Sequence, residues 1–203
     1  VFPASPARLA VLDKLTMLLP PMQCRRLCQN ACTSPIDTTP TEVAVLGDTG
    51  LLIASATAAR DGGPRQGMCP ALDRQGNCAV YARRPFICRF WGVVSWMSCP
   101  HGCVPEGGFL DDTTALNAMI DWSVIDETDA EQLGFARELR ARVAVQAHLR
   151  KALIWRIFVY ANASIYGPHD RMQASARLAQ AMRQGGTRRT GRHNRRNRSR
   201  GAR

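Results

Sequence analysis

Eight cysteines crowd into residues 24–103 of this 203-residue chain, and none follows. Three of them, Cys69, Cys78 and Cys88, stand in CPALDRQGNCAVYARRPFIC. Cys24, Cys28 and Cys32 precede them in CRRLCQNAC, and Cys99 and Cys103 follow in CPHGC. Thiolates are soft ligands suited to zinc and to iron–sulfur clusters, whereas an isolated cysteine usually packs as a small hydrophobe. These cysteines sit beside Gly, Pro and Arg and outside apolar runs, so the pattern favours metal or cluster binding over inert core thiols. An even count leaves four disulfides as the other reading. Cys24, Cys28 and Cys32 step by four, which on a helix would stack them along one face.

The same stretch resembles the YkgJ-type cysteine-cluster family, a zinc- or iron-chelating domain. The resemblance rests on Cys24/Cys28/Cys32, Thr39 to Glu42, Cys69-Pro70-Ala71-Leu72, Gly76, Cys78-Ala79-Val80-Tyr81, Arg84-Pro85 and Cys88-Arg89, in the family's order and approximate spacing. It covers about residues 22–105 and leaves the second half of the chain unexplained. It implies a metal or iron–sulfur site with Cys69, Cys78 and Cys88 as core ligands, completed by at least one of Cys24, Cys28 and Cys32. The family's first cluster is usually denser, often with an adjacent Cys-Cys pair; here it is Cys-x3-Cys-x3-Cys.

Tetrahedral zinc sites usually draw on tight Cys-x2–4-Cys knuckles. The gaps of eight and nine residues between Cys69, Cys78 and Cys88 are longer. An iron–sulfur cluster accepts scattered ligands, and Arg83, Arg84 and Arg89 are placed to offset its negative charge. A 4Fe–4S cluster is therefore expected ahead of zinc. Cys99 and Cys103 enclose His101 in a compact pair suited to a metal knuckle or redox pair, although a lone His is more often a surface or core residue. No role is assigned to His148, His169 or His193. No Gly-x-Ser-x-Gly, Walker or His-Glu-x-x-His motif is present. Asp111-Asp112, Asp121 and Asp126 are expected to be helix-start charge and solvated face, not paired catalytic carboxylates.

Several helices must position these groups. Apolar residues from Leu9 to Leu19 recur at helical spacing over residues 6–19. Thr39, Pro40 and Glu42 predict an N-cap, a first helical residue and a capping-box acid. That helix could run beyond Gly50 to Ala59, or Leu51 to Ala56 could form a strand. A turn is expected over residues 73–77 and a short strand over 78–81. Arg84, before Pro85, is expected to be extended. A helix is expected over 113–125. A capping box at 128–131 opens a long helix from Ala130 to about Tyr166, kinked or split near Asn162. Asp170 is expected to cap a last helix over 171–184.

The chain carries a formal net charge of +11. Residues 185–203 hold eight Arg and no acid, leaving about +3 for the rest. This tail cannot bury apolar surface and is expected to be disordered alone. Arg binds phosphate bidentately, so the tail suits nucleic acid as a partner, the other reading being a solubilising basic end or a protein-docking arm. The first residues lack a basic opening and a small-x-small cleavage site, and are read as a helix and not a signal peptide. No apolar stretch predicts a membrane span, and a cytoplasmic location is expected.

The sequence thus predicts a mainly α protein. A cysteine-cluster metal-binding domain fills residues 1–108, a helical region 109–184 and a basic tail 185–203. The leading function is metal or iron–sulfur binding in a redox or structural role. The alternatives are a nucleic-acid-binding protein with a structural metal site and a cluster-dependent enzyme.

Overall fold

The computed structural model describes residues 4–25, 27, 36–58, 69–161 and 167–184. Among the described residues it is mainly helical, with eight α-helices and no named strand. They are α1 Pro6–Leu18, α2 Pro40–Leu46, α3 Asp48–Ala58, α4 Phe86–Phe90, α5 Asp112–Ser123, α6 Ala130–Val145, α7 Ala147–Ala161 and α8 Pro168–Gln184. The chain forms two compact units, Val1–Arg140 and Ala141–Arg203.

In the first unit, local capping starts the helices and buried aromatics join them. Ser5 caps α1 by accepting from the Arg8 N–H. Thr39 caps α2 and Glu42 closes the capping box that the sequence predicts. Gly47, at φ 58° and ψ −134°, separates α2 from α3. Residues 51–56 are therefore helical, and the strand alternative is excluded. The predicted single helix is instead two, because α3 folds back over α2. Gly50 makes that approach possible: a Cβ there would stand 2.7 Å from the Val43 carbonyl oxygen. Phe86, Phe90 and Trp122 form the aromatic part of the core, with Phe86 5.5 Å from Phe90 and 5.9 Å from Trp122 between ring centroids. α1 packs against α4 and α5.

In the second unit α7 and α8 pack along one another. The Tyr160 hydroxyl meets Ser175 Oγ at 3.2 Å, and His148 Nε2 meets the Ala181 carbonyl at 3.3 Å. These pairs fix an antiparallel hairpin. The long helix expected from Ala130 breaks at Gln146, and its second part, α7, runs to Ala161; the kink or split expected near Asn162 falls outside the described residues. Neither Gly nor Pro marks the break. The Arg150 guanidinium donates to the carbonyls of Val143 (2.8 Å) and Ala144 (3.2 Å), satisfying the end of α6. α8 starts at Pro168, three residues before the predicted start. Asp170 Oδ2 then accepts from the Gly167 N–H at 2.9 Å, as a capping-box acid does.

The unit boundary also divides the charge. Val1–Arg140 holds twelve Lys and Arg against fifteen Asp and Glu, a formal −3. Ala141–Arg203 holds fifteen against Asp170 alone, a formal +14. The basic character therefore extends well before the tail.

Candidate metal centre

The backbone around the cysteines is irregular and is held by side chains reaching main-chain groups. The Asp73 carboxylate accepts from Gln75 N (2.9 Å) and Asn77 N (2.8 Å), which closes the predicted turn. An antiparallel bridge pairs Leu72 with Cys78. The expected strand over 78–81 does not form beyond that bridge, because the chain turns into a 3₁₀ segment at Tyr81–Arg83. Cys69 is buried and Cys78 partly buried, both packed with Leu46, Ile53, Ala71 and Val80. The thiols of this loop thus sit against α2 and α3.

Cys88 lies on α4, whose start is fixed from a distance. Glu42 is 2% exposed, so its carboxylate needs partners from the protein itself. Oε1 accepts from Phe86 N at 2.6 Å, and Oε2 accepts from Trp122 Nε1 at 3.0 Å and Thr39 N at 2.9 Å. One acid therefore caps α2, anchors the first turn of α4 and satisfies a buried indole. Asp126 works alongside it, accepting from Thr41 N (2.8 Å) and Thr41 Oγ1 (2.7 Å) and pairing with Arg8 at 3.3 Å.

A second approach of chain segments brings Cys24 and Cys103 into one neighbourhood. Met22 bridges Pro105 in antiparallel fashion, and Glu106 N donates to the Pro21 carbonyl at 2.8 Å. Gly92, at φ +91°, lies beside both flanks. A Cβ there would stand 2.9 Å from Met22 Cε and 3.6 Å from Cys99 Cβ. Cys99 and Cys103 are buried, joined by a turn in which Gly102 N donates to the Cys99 carbonyl at 3.1 Å. His101, within that turn, is exposed.

Two arginines and a tyrosine border the thiols. The Arg89 guanidinium folds the preceding loop by donating to the carbonyls of Arg84 (3.0 Å) and Ala82. Burial, and then the like charge of Arg84, pull its pKa down; Cys88, Tyr81 and Glu42 oppose that pull. Arg84 lies 4.3 Å from the Tyr81 ring centroid. Burial raises the Tyr81 phenol pKa, as does its hydrogen bond to Cys24, while Arg84 acts in the opposite direction. Sequence reasoning gave Tyr81 no role; its contact with Cys24 crosses 57 positions and leaves no local signal.

No disulfide joins any two of the six described cysteines, Cys24, Cys69, Cys78, Cys88, Cys99 and Cys103. Cys28, Cys32 and the tail fall outside the described residues, so the predicted stacking of the first three cysteines falls outside them too. Among the described residues no group of three His, Cys, Asp or Glu side chains stands at metal-holding spacing. The surroundings nevertheless fit a metal–thiolate centre. Arg84 Nε, Trp91 Nε1 and Trp96 Nε1 are buried N–H donors with no acceptor among the described residues, and all three lie within residues 84–96, across Cys88 and just before Cys99. Buried donors of this kind normally find acceptors. Metal-bound thiolate and cluster sulfur are negatively charged acceptors tuned by such hydrogen bonds.

The acids expected to be helix-start charge and solvated face are so in part, Asp126 being part-buried where it holds Thr41 and Arg8. Asp111 caps α5 through Thr113 N and Thr114 N, both at 3.0 Å. Asp121 pairs with Arg140 at 2.9 Å, and Asp126 holds Thr41 and Arg8. No helix among the described residues is long and apolar enough to cross a membrane.

Compared with known protein families, residues 23–104 match the model CxxCxxCC, “Putative zinc- or iron-chelating domain”. No curated protein and no solved structure matches the chain.

Proposed function

We propose that the first unit, whose residues 23–104 match the model of a zinc- or iron-chelating domain, binds iron as a 4Fe–4S cluster. Cys69, Cys78 and Cys88 are the core ligands in this reading, and at least one of Cys24, Cys28 and Cys32 completes the set. Cys99 and Cys103 are available for the same centre or a second one. The observation that carries the iron–sulfur choice is the set of buried donors Arg84 Nε, Trp91 Nε1 and Trp96 Nε1, which lack acceptors among the described residues. A cubane presents inorganic sulfide as well as thiolate, and therefore more negatively charged acceptors than a single zinc ion with its four ligands. When bound, the cluster supplies one-electron redox chemistry and ties together loops that have little apolar content of their own. Glu42 anchors the start of α4, the helix that carries Cys88.

Anaerobic purification of the full chain tests this directly. The expected sample is brown, absorbs near ~400 nm and contains about four iron and four sulfide per chain. A colourless sample with stoichiometric zinc overturns the cluster and keeps a metal–thiolate site. Purified chain that takes up neither iron nor zinc overturns the chelating function itself.

A further inference from the structure

The second unit carries no cysteine, and its charge needs a separate account. Its fifteen cations are fourteen Arg and a single Lys, set against one acid. We propose that the α7–α8 hairpin is itself a nucleic-acid-binding surface that reads the phosphate backbone without sequence preference, with the Arg-rich tail as its extension.

The hairpin separates cations that build the fold from cations that face solvent. The Arg142 guanidinium donates to the Met182 carbonyl, and Arg150 closes the end of α6. Lys151 and Arg156 on α7, and Arg177 and Arg183 on α8, are exposed, and no acid lies on either helix except Asp170. The antiparallel packing sets these four along neighbouring helices. At 3.6 residues per turn, Lys151 and Arg156 project about 140° apart around α7 and Arg177 and Arg183 about 120° apart around α8, so the four cations offer phosphate contacts on more than one side of the hairpin.

Two of the four are also held in position. Arg177 lies 5.9 Å from the Trp155 ring centroid and Arg156 5.2 Å from that of Tyr160. Stacking orders a guanidinium while leaving its edge N–H groups for a bidentate phosphate contact. Tyr160 is 41% exposed, so part of its face remains open to a base.

An anionic membrane fits less well. A membrane-surface helix needs an apolar face turned outward. Here Leu149, Leu153, Val159, Ala174, Leu178 and Ala181 are buried.

The test uses the full chain in fluorescence anisotropy with labelled single-stranded polyuridine RNA and a DNA duplex of arbitrary sequence. In one form the eight tail Arg are replaced by Gln. That form still binds at low salt. Its log affinity falls against log salt with a slope of about −3 on RNA, as four displaced counterions predict. Adding Lys151→Gln, Arg156→Gln, Arg177→Gln and Arg183→Gln lowers the affinity at least ~30-fold, given a roughly tenfold loss per ~1.4 kcal/mol of contact energy. Circular dichroism shows whether the helices persist. If they do not, Lys151→Gln with Arg183→Gln, neither of which stacks on a ring, replaces the fourfold variant with a salt slope smaller by about 1.4. The proposal is overturned by tail-neutralised chain that does not bind, by Gln variants that bind like their parent, or by stronger retention on phosphatidylserine vesicles than on nucleic acid.

Discussion

The two units meet the same requirement, satisfying a polar backbone, by opposite means. In Ala141–Arg203 the described backbone is almost entirely helix, which satisfies its own N–H and C=O groups, and packing of α7 on α8 does the rest. In Val1–Arg140 the described residues 69–111 have little regular structure beyond the short α4. Their main chain is held by side chains: Glu42 reaches Phe86 across 44 positions and Arg89 reaches Ala82 across seven, while Asp126 holds Thr41 on α2 in the same way. A fold pinned at a few polar points should fail at single substitutions, whereas a fold held by a packed helix pair should degrade gradually.

Glu42→Ala should break the comparison most sharply. It strands the buried N–H groups of Phe86 and Trp122 and removes the capping box of α2. Each lost bond to a charged acceptor is worth about 1.5–3 kcal/mol, so a total of about 3–5 kcal/mol is expected. Denaturant unfolding followed by the Trp fluorescence of the first unit should show this loss, while Trp155→Phe in the same background leaves the shift unchanged. A loss below about 1 kcal/mol would mean that water replaces the carboxylate and that the first unit is not pinned there.

Arg84→Gln should come next. Its predicted effect is a metal affinity about 10- to 100-fold lower, the usual consequence of losing a hydrogen bond to a ligand. Chelator competition measures it for iron or zinc alike. If the centre is a cluster, its reduction potential should also become more negative, because an N–H donor to sulfur stabilises the more negative reduced state. Equal affinity and potential in variant and parent would show that the buried Nε serves only the Tyr81 stack.

Local signals in the sequence carried over well to the structure. The Thr39–Glu42 box, the Asp73–Asn77 turn and extended Arg84 all depend on residues within four positions of each other. The mainly α class followed from apolar periodicity for the same reason. What escaped the sequence is long-range. Glu42 reads as a capping-box acid, and nothing nearby announces that it also serves Phe86 and Trp122, 44 and 80 positions away. The break at Gln146 has no Gly or Pro because an arginine side chain makes it. The split of α2 from α3 was ambiguous because Gly47 and Gly50 are equally plausible breakers, and only the packing of α3 on α2 decides between them. At the candidate metal centre the number and spacing of the cysteines are legible in sequence, whereas the Tyr81–Cys24 contact and the unpartnered donors Arg84 Nε, Trp91 Nε1 and Trp96 Nε1 needed coordinates. The charge division was hidden by the tail, whose density drew attention from the hairpin before it.

Arg150→Ala carries the comparison into the second unit. The guanidinium closes two carbonyls at the end of α6, in a partly exposed position that water can reach. The expected loss is about 0.5–1.5 kcal/mol, with continued binding of metal to the first unit. Helical circular dichroism during thermal unfolding should show an earlier transition of small amplitude. A loss as large as that at Glu42 would make the helix junction as brittle as the polar pins and would erase the contrast.

The smallest effect sharpens the contrast through pH. Asp111 caps α5, and replacing it by Ala should cost about 1 kcal/mol. Hydrogen bonds from Thr114, through its side chain and then its backbone N–H, hold the carboxyl below its usual value of 3.8. Because the folded pKa is the lower one, the cap's contribution is complete above the unfolded value. It is lost as pH falls through the folded value, where the carboxylate protonates in the helix-capping state too. The stability difference between parent and Asp111→Ala should therefore be constant from pH 7 to about 5 and shrink in the acid range below about 4. Arg150→Ala should show no such change over the same range, since it removes no carboxylate. A parent–variant difference at Asp111 that is flat into the acid range would mean that the cap works through the neutral acid, and that acid acts on the first unit through other carboxylates.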